Sequence, residues 1–90
     1  MTEEELENFK QKIINTTSFP GVYMYKFIVK SQHRSIALVE NLFEPEADIH
    51  TKESENGKYI SITAKQVVIN VDEVIGVYKK ASAIEGIIFL

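Results

Sequence analysis

The dipeptide Asn56-Gly57 constrains this chain more than any other feature of it. Asn and Gly tolerate positive φ, which a tight two-residue hairpin turn requires at both central positions, so the pair marks a hairpin when alternating residues flank it. Segments 46–54 and 58–69 flank it here. If Glu55 faces Lys58 across the turn, Ile49 faces Ala64, Thr51 faces Ile62 and Glu53 faces Ile60. In the other phase Asp48 faces Lys65, His50 faces Thr63 and Lys52 faces Ser61. One side is mainly apolar and the other polar with an opposite-charge pair, and a slip of one residue would exchange the two sides. Turn chemistry and alternation therefore specify the same register.

The other elements follow from periodicity. Residues 22–30, VYMYKFIVK, are β-branched and aromatic and read as a strand, with Tyr25, Phe27 and Val29 on one face and Met24, Lys26, Ile28 and Lys30 on the other. Ser31 is placed to cap a helix over 32–43 with Ile36, Val39, Leu42 and Phe43 on one stripe, closed by Pro45. Asn70 followed by Glu73 predicts a helix over 71–84 with Val74, Ile75, Tyr78, Ala81 and Ile84 inward, Lys79 and Lys80 near its end and Gly86 stopping it. The chain finishes on a short apolar strand, IIFL. At the other end, residues 3–14 predict an amphipathic helix with Leu6, Phe9 and Ile13 on one side, Thr2 and Glu5 forming a capping box, acid at its start, and Lys10 and Lys12 suiting its end. The segment NTTSFPG, 15–21, separates it from the first strand.

After the N-terminal helix the order is β-α-β-β-α-β. Right-handed crossovers then give an α+β fold, the ferredoxin-like plait: an antiparallel sheet in order 4-1-3-2 with two helices on one face. The apolar first strand belongs at the centre and the polar second strand at an edge. The expected organisation is a single domain, 1–90, made of the helix at 1–14 and the plait at 19–90.

Composition removes several chemistries. With no Cys and two His, thiolate nucleophiles, disulfides, Cys-based zinc sites and imidazole clusters are excluded or disfavoured. A net charge of -3 supplies no overall basic field for nucleic acid. No apolar run is long enough to span a bilayer, and a start bearing Glu3, Glu4, Glu5 and Glu7 does not read as a secretory signal, so the expected location is cytoplasmic.

Residues 19–90 resemble the YbeD-like family of small bacterial proteins, domain of unknown function 493. The resemblance rests on Phe19-Pro20 ahead of the first strand, on YKFIV (25–29) within it, and on the hairpin ESENGKYISIT (53–63). It rests also on the Val74…Tyr78 spacing and an apolar residue ending the last strand. Two features depart from the family pattern: Lys30-Ser31 stands where a small residue often follows the first strand, and the N-terminal helix is longer and more acidic. The resemblance implies the ferredoxin-like plait and a likeness to the ligand-sensing ACT domains. It carries no established activity or catalytic residue.

The leading expectation is accordingly a non-enzymatic, ACT-like binding or regulatory module, bound to a protein or small-molecule ligand, able to form a homodimer, and using no cofactor, catalytic residue or metal. The candidate surface is the sheet face away from the two main helices: Met24, Lys26, Ile28, Lys30, His50, Lys52, Tyr59 and Lys65. The N-terminal helix or a second copy is expected to cover it, with Met24 and Ile28 receiving Leu6, Phe9 and Ile13. An RNA-binding plait is the first alternative, weakened because Tyr59 is the one aromatic for base stacking on that face. An acylphosphatase-like hydrolase is the second: Arg34 stands near the right place after the first strand, but KSQHRS lacks the glycines of a phosphate-cradling loop. His33, His50 and the acids Glu44, Glu46, Asp48, Asp72 and Glu73 all have adequate structural roles at helix starts, turns and polar faces.

Overall fold

The computed structural model describes residues 2–90. Among these the chain runs α1 (Glu3–Thr16), β1 (Gly21–Lys30), α2 (His33–Glu40), β2 (Asp48–Glu53), β3 (Tyr59–Val68), α3 (Val71–Ala81) and β4 (Ile88–Phe89). The strands form one antiparallel sheet in the order β2-β3-β1-β4, the ferredoxin-like plait with an added N-terminal helix. Apolar β1 and β3 lie inside the sheet, and the polar β2 takes an edge, where side chains on both faces can reach water.

The β2–β3 register is the predicted one: Asp48 opposes Lys65, Ile49 Ala64, His50 Thr63, Thr51 Ile62, Lys52 Ser61 and Glu53 Ile60. The turn differs. Gly57 alone takes positive φ, at 70°, and Asn56 does not. The Gly57 N–H donates to the Ser54 carbonyl at 2.9 Å, and the Ser54 N–H to the Tyr59 carbonyl at 2.8 Å, so the loop spans Glu55–Lys58. Ser54 and Asn56 side chains explain why. Ser54 Oγ accepts from the Tyr59 N–H at 3.1 Å, and Asn56 Oδ1 accepts from the Lys58 N–H at 3.0 Å. These bonds satisfy donors that a two-residue turn would have engaged in the ladder.

The core lies between the sheet and the helices. Tyr25, Phe27 and Val29 of β1, and Ile60, Ile62, Ala64 and Val68 of β3, pack against Val39 of α2, Phe43 beyond it, and Val74, Ile75, Val77, Tyr78 and Ala81 of α3. Phe27 is fully buried, with ring centroids at 5.6 Å to Tyr78, 5.4 Å to Phe89 and 6.2 Å to Phe43. Leu42 and Phe89 pack at the margin and are only partly buried.

Several helix details depart from expectation. Ser31 does not cap α2: its Oγ donates to Glu53 Oε1 at 2.9 Å, tying the end of β1 to the edge strand. Gln32 occupies the N-cap instead, without a side-chain capping bond to any described residue, and α2 stops at Glu40. In α3 the Asn70 side chain accepts from the Glu73 N–H at 3.1 Å as predicted, while the Glu73 carboxylate reaches back to the Ile69 N–H. This helix ends at Ala81, and Gly86, at φ 76°, closes the following turns rather than the helix itself. The capping box on α1 is formed, with Glu5 N–H to Thr2 Oγ1 at 3.1 Å and Thr2 N–H to Glu5 Oε1 at 3.3 Å. That bond from the Thr2 backbone lowers the Glu5 pKa. Lys10 and Lys12 fall short of the last turn because α1 continues to Thr16.

The position of α1 overturns the expectation that it covers the sheet. It packs beside α3, on the helical side of the molecule. Phe9 meets the edge of Tyr78 at 4.8 Å, Ile13 enters the core at 4% exposure, and Lys10 Nζ lies 3.1 Å from Asp72 Oδ1. Its apolar stripe required a greasy partner, and α3 supplies one together with a carboxylate for Lys10. Met24 is consequently left 50% exposed.

Candidate functional site: the open sheet face

The pleat of β1 decides what the uncovered face presents. Odd-numbered β1 residues from Tyr23 to Val29 point into the helical layer, so Val22, Met24, Lys26, Ile28 and Lys30 point out. Each is aligned with an outward residue of β3: Val22 with Val67, Met24 with Lys65, Lys26 with Thr63, Ile28 with Ser61 and Lys30 with Tyr59. Beyond β3, Asp48, His50 and Lys52 continue those rows. On the far side Ile88 of β4 aligns with Ile28, and the Leu90 N–H donates to the Lys26 carbonyl at 3.0 Å.

All eight residues singled out from the sequence thus lie on one surface: Met24, Lys26, Ile28 and Lys30 on β1, His50 and Lys52 on β2, and Tyr59 and Lys65 on β3. The structure adds Val22, Val67, Ile88 and Leu90, whose exposures run from 49% to 66%. Val22 and Val67 lay one pleat beyond Met24 and Lys65, so period-two alternation extended to the strand ends would have found them. Ile88 and Leu90 carried no such signal, because IIFL is apolar in both phases.

The result is an apolar band along the central strand, bordered by lysines. Lys26, Lys30, Lys52 and Lys65 are exposed, whereas Asp48 is the acid at an outward sheet position among the described residues. Asp48 opposes Lys65 in register, but its carboxylate turns to His50, with Nε2 to Oδ1 at 3.0 Å. The expected Asp48–Lys65 ion pair is therefore not made. A face of this sign stands on a chain of net charge -3, so the acids are concentrated elsewhere, notably on α1. A shallow hollow floored by Ile28 and walled by Lys52, Glu53, Ser54, Tyr59 and Ser61 has a volume of about 200 Å³.

The remaining candidates are dispersed. His33 and Arg34 are exposed in the first turn of α2, away from His50 on the sheet. No group of His, Cys, Asp or Glu able to hold a metal ion occurs among the described residues. Within the core, burial pushes the Tyr25 phenol up to about 12, with the Gln66 side chain partly offsetting the rise, and the Tyr78 phenol higher still; Tyr25 Oη has no hydrogen-bond partner within 3.5 Å among the described residues. Both tyrosines lie between the sheet and the helices and do not reach the open face. No described helix is long and apolar enough to cross a membrane.

The family model described as "Protein of unknown function (DUF493)" matches residues 14–90. The chain belongs to the DUF493 family. The match takes in β1 to β4 with both helices of the plait, and therefore every residue of the open face, while leaving most of α1 outside. No curated protein and no solved structure matches the chain.

Proposed function

We propose that this DUF493 chain is a non-enzymatic binding module, regulatory in the manner of ACT-like domains, whose working surface is the open sheet face. The observation that carries the reading is the band of exposed Val22, Met24, Val67, Ile88 and Leu90 around half-buried Ile28, on a face from which the chain's own helices have turned away. Apolar side chains grouped on a uniform surface favour removal from water, and contiguous patches of this kind mark contacts. The sequence offers little to a reaction: no thiol, and titratable groups spread across separate elements. Absence of Cys also suits a reducing compartment, in keeping with a cytoplasmic location. RNA binding has less support, because Tyr59 sits at the hairpin end of the sheet rather than at its centre. A hydrolase at the β1–α2 loop also has less, because Ser31 is engaged by Glu53 and the loop has no Gly.

The test is site-specific photocross-linking in living cells. A photoreactive residue at Met24 is expected to give discrete covalent adducts, and the same residue at exposed Ala83, on the helical side, is expected to give none. Equal yields at the two positions, or none at either, would overturn the assignment of this face.

A further inference from the structure

We infer that the occupant of the open face is an acidic amphipathic helix of a partner protein, lying along β1; this rests on the reading of that face as a docking surface. Length, charge and edge geometry each bear on the choice. From Val22 to Ile28 the apolar band runs about 20 Å at the rise of a strand, the length of about thirteen residues of helix. Met24 and Ile28, with Val67, Ile88 and Leu90 to either side, offer a band wide enough for one helical stripe. The opposite face of this sheet already accepts helices in the same way, through α2 and α3.

Charge selects the kind of helix. Lys26 and Lys30 interrupt and end the band on β1, and Lys52 and Lys65 border it, so carboxylates flanking the apolar stripe of a docked helix meet ammonium groups. Acids lie near both ends of the band, Glu44, Glu46 and Asp48 beside Val22, Val67 and Lys65, and Glu53 beside Ile28 and Lys52, yet none of the four lysines is ion-paired among the described residues. A second copy docked face to face would set the same lysines against one another, which disfavours simple two-fold pairing. A partner adding a strand would need a sheet edge. Here one edge is β2, polar apart from inward Ile49, and the other is β4, reduced to Ile88–Phe89. Helix α1 has the required chemistry, with Leu6, Phe9 and Ile13 on one stripe and Glu3, Glu4, Glu5 and Glu7 at its start, but it is committed to α3.

The experiment uses the full chain and a synthetic helical peptide of about fourteen residues, with Leu on one stripe and Glu on both flanks. A second peptide carries Lys in place of every Glu. Backbone and methyl NMR titration is expected to move the resonances of Val22, Met24, Ile28, Val67 and Ile88 with the Glu peptide, and the Lys peptide is expected to bind about tenfold more weakly or worse. The double variant Lys26→Glu/Lys65→Glu, altered only at exposed positions, is expected to reverse that preference. Equal affinity for both peptides overturns the proposal, as does failure of the Glu peptide to perturb these residues at millimolar concentration. If the chain instead forms dimers that Met24→Asp dissociates, or if a single-stranded RNA moves the same resonances, the acidic-helix proposal fails while the face remains a docking surface. If no probe perturbs the face and photocross-linking at Met24 yields no adduct, the reading of the face fails with it.

Discussion

Replacing Tyr25 by Phe should stabilise this protein. Tyr25 is fully buried at the centre of β1, and its ring is held by Tyr23 at 4.8 Å, Phe43 at 5.2 Å and Tyr78 at 5.6 Å. Its hydroxyl finds no hydrogen-bond partner among the described residues. A buried hydroxyl without a partner costs about 1–3 kcal/mol of desolvation relative to one left in water. Phe keeps the ring and its contacts and removes that cost, at the expense of a void the size of one oxygen. The net expectation is a gain of about 1 kcal/mol, equivalent to about 4–8 °C in Tm for a domain of this size. Urea unfolding followed by circular dichroism measures it directly. Tyr78→Phe is the matched control, because the Tyr78 hydroxyl lies 3.4 Å from that of Tyr23; it should be neutral or lose up to about 1 kcal/mol. A loss of 1 kcal/mol or more in Tyr25→Phe would refute the reasoning. It would show the hydroxyl to be bonded, with the Gln66 side-chain amide the first group to suspect; its Oε1 already accepts from the Glu44 N–H at 3.0 Å, and its NH₂ remains to donate.

The same tyrosines make stability fall at high pH. Burial raises the Tyr25 pKa to about 12 and that of Tyr78 further, so above about pH 10 the unfolded chain releases protons that the folded chain retains. Stability is full below about pH 10 and declines as pH rises towards 12, and urea midpoints should show a shallower decline in Tyr25→Phe. Phe27→Ala, which empties a fully buried position between Tyr78, Phe89 and Phe43, should cost about 3–5 kcal/mol in the same assay. Gly57→Val should cost about 1 kcal/mol or more and Gly57→Asn much less, since a Cβ there meets no atom within 4 Å and the whole penalty comes from φ of 70°. Thr2→Ala removes the capping box and should weaken α1 by about 1 kcal/mol, seen as faster amide exchange over its first turns.

The hairpin register was legible because two independent signals agreed, the Asn56-Gly57 turn and the alternation of Ile49, Thr51, Ile60, Ile62 and Ala64. The turn type was not, because it depended on how the Ser54 and Asn56 side chains distribute bonds among nearby N–H groups. Ser31 shows the same limit: a hydroxyl before a helix can cap it, yet here a carboxylate brought near by the fold, Glu53, takes the bond. The face carrying Met24, Lys26, Ile28 and Lys30 followed from the pleat of one unambiguous strand. Its cover did not follow, because the stripe Leu6–Phe9–Ile13 states only that α1 needs an apolar partner. Two apolar surfaces were on offer, and the choice fell to Tyr78 for Phe9 and Asp72 for Lys10, contacts that exist only once α3 is folded.

The most direct measurement of whether the open face is occupied is the oxidation rate of Met24 by dilute peroxide, in intact cells and in the purified chain. The thioether is half exposed and becomes polar on oxidation, so its reactivity reports access to this one surface. If the face docks a partner, Met24 should oxidise readily in the purified chain and several-fold more slowly in cells, and the slow rate should become fast in the Ile28→Asp variant, whose buried charge would expel an apolar occupant. Equal rates in cells and in the purified chain, after correction for peroxide reaching each, would contradict the account.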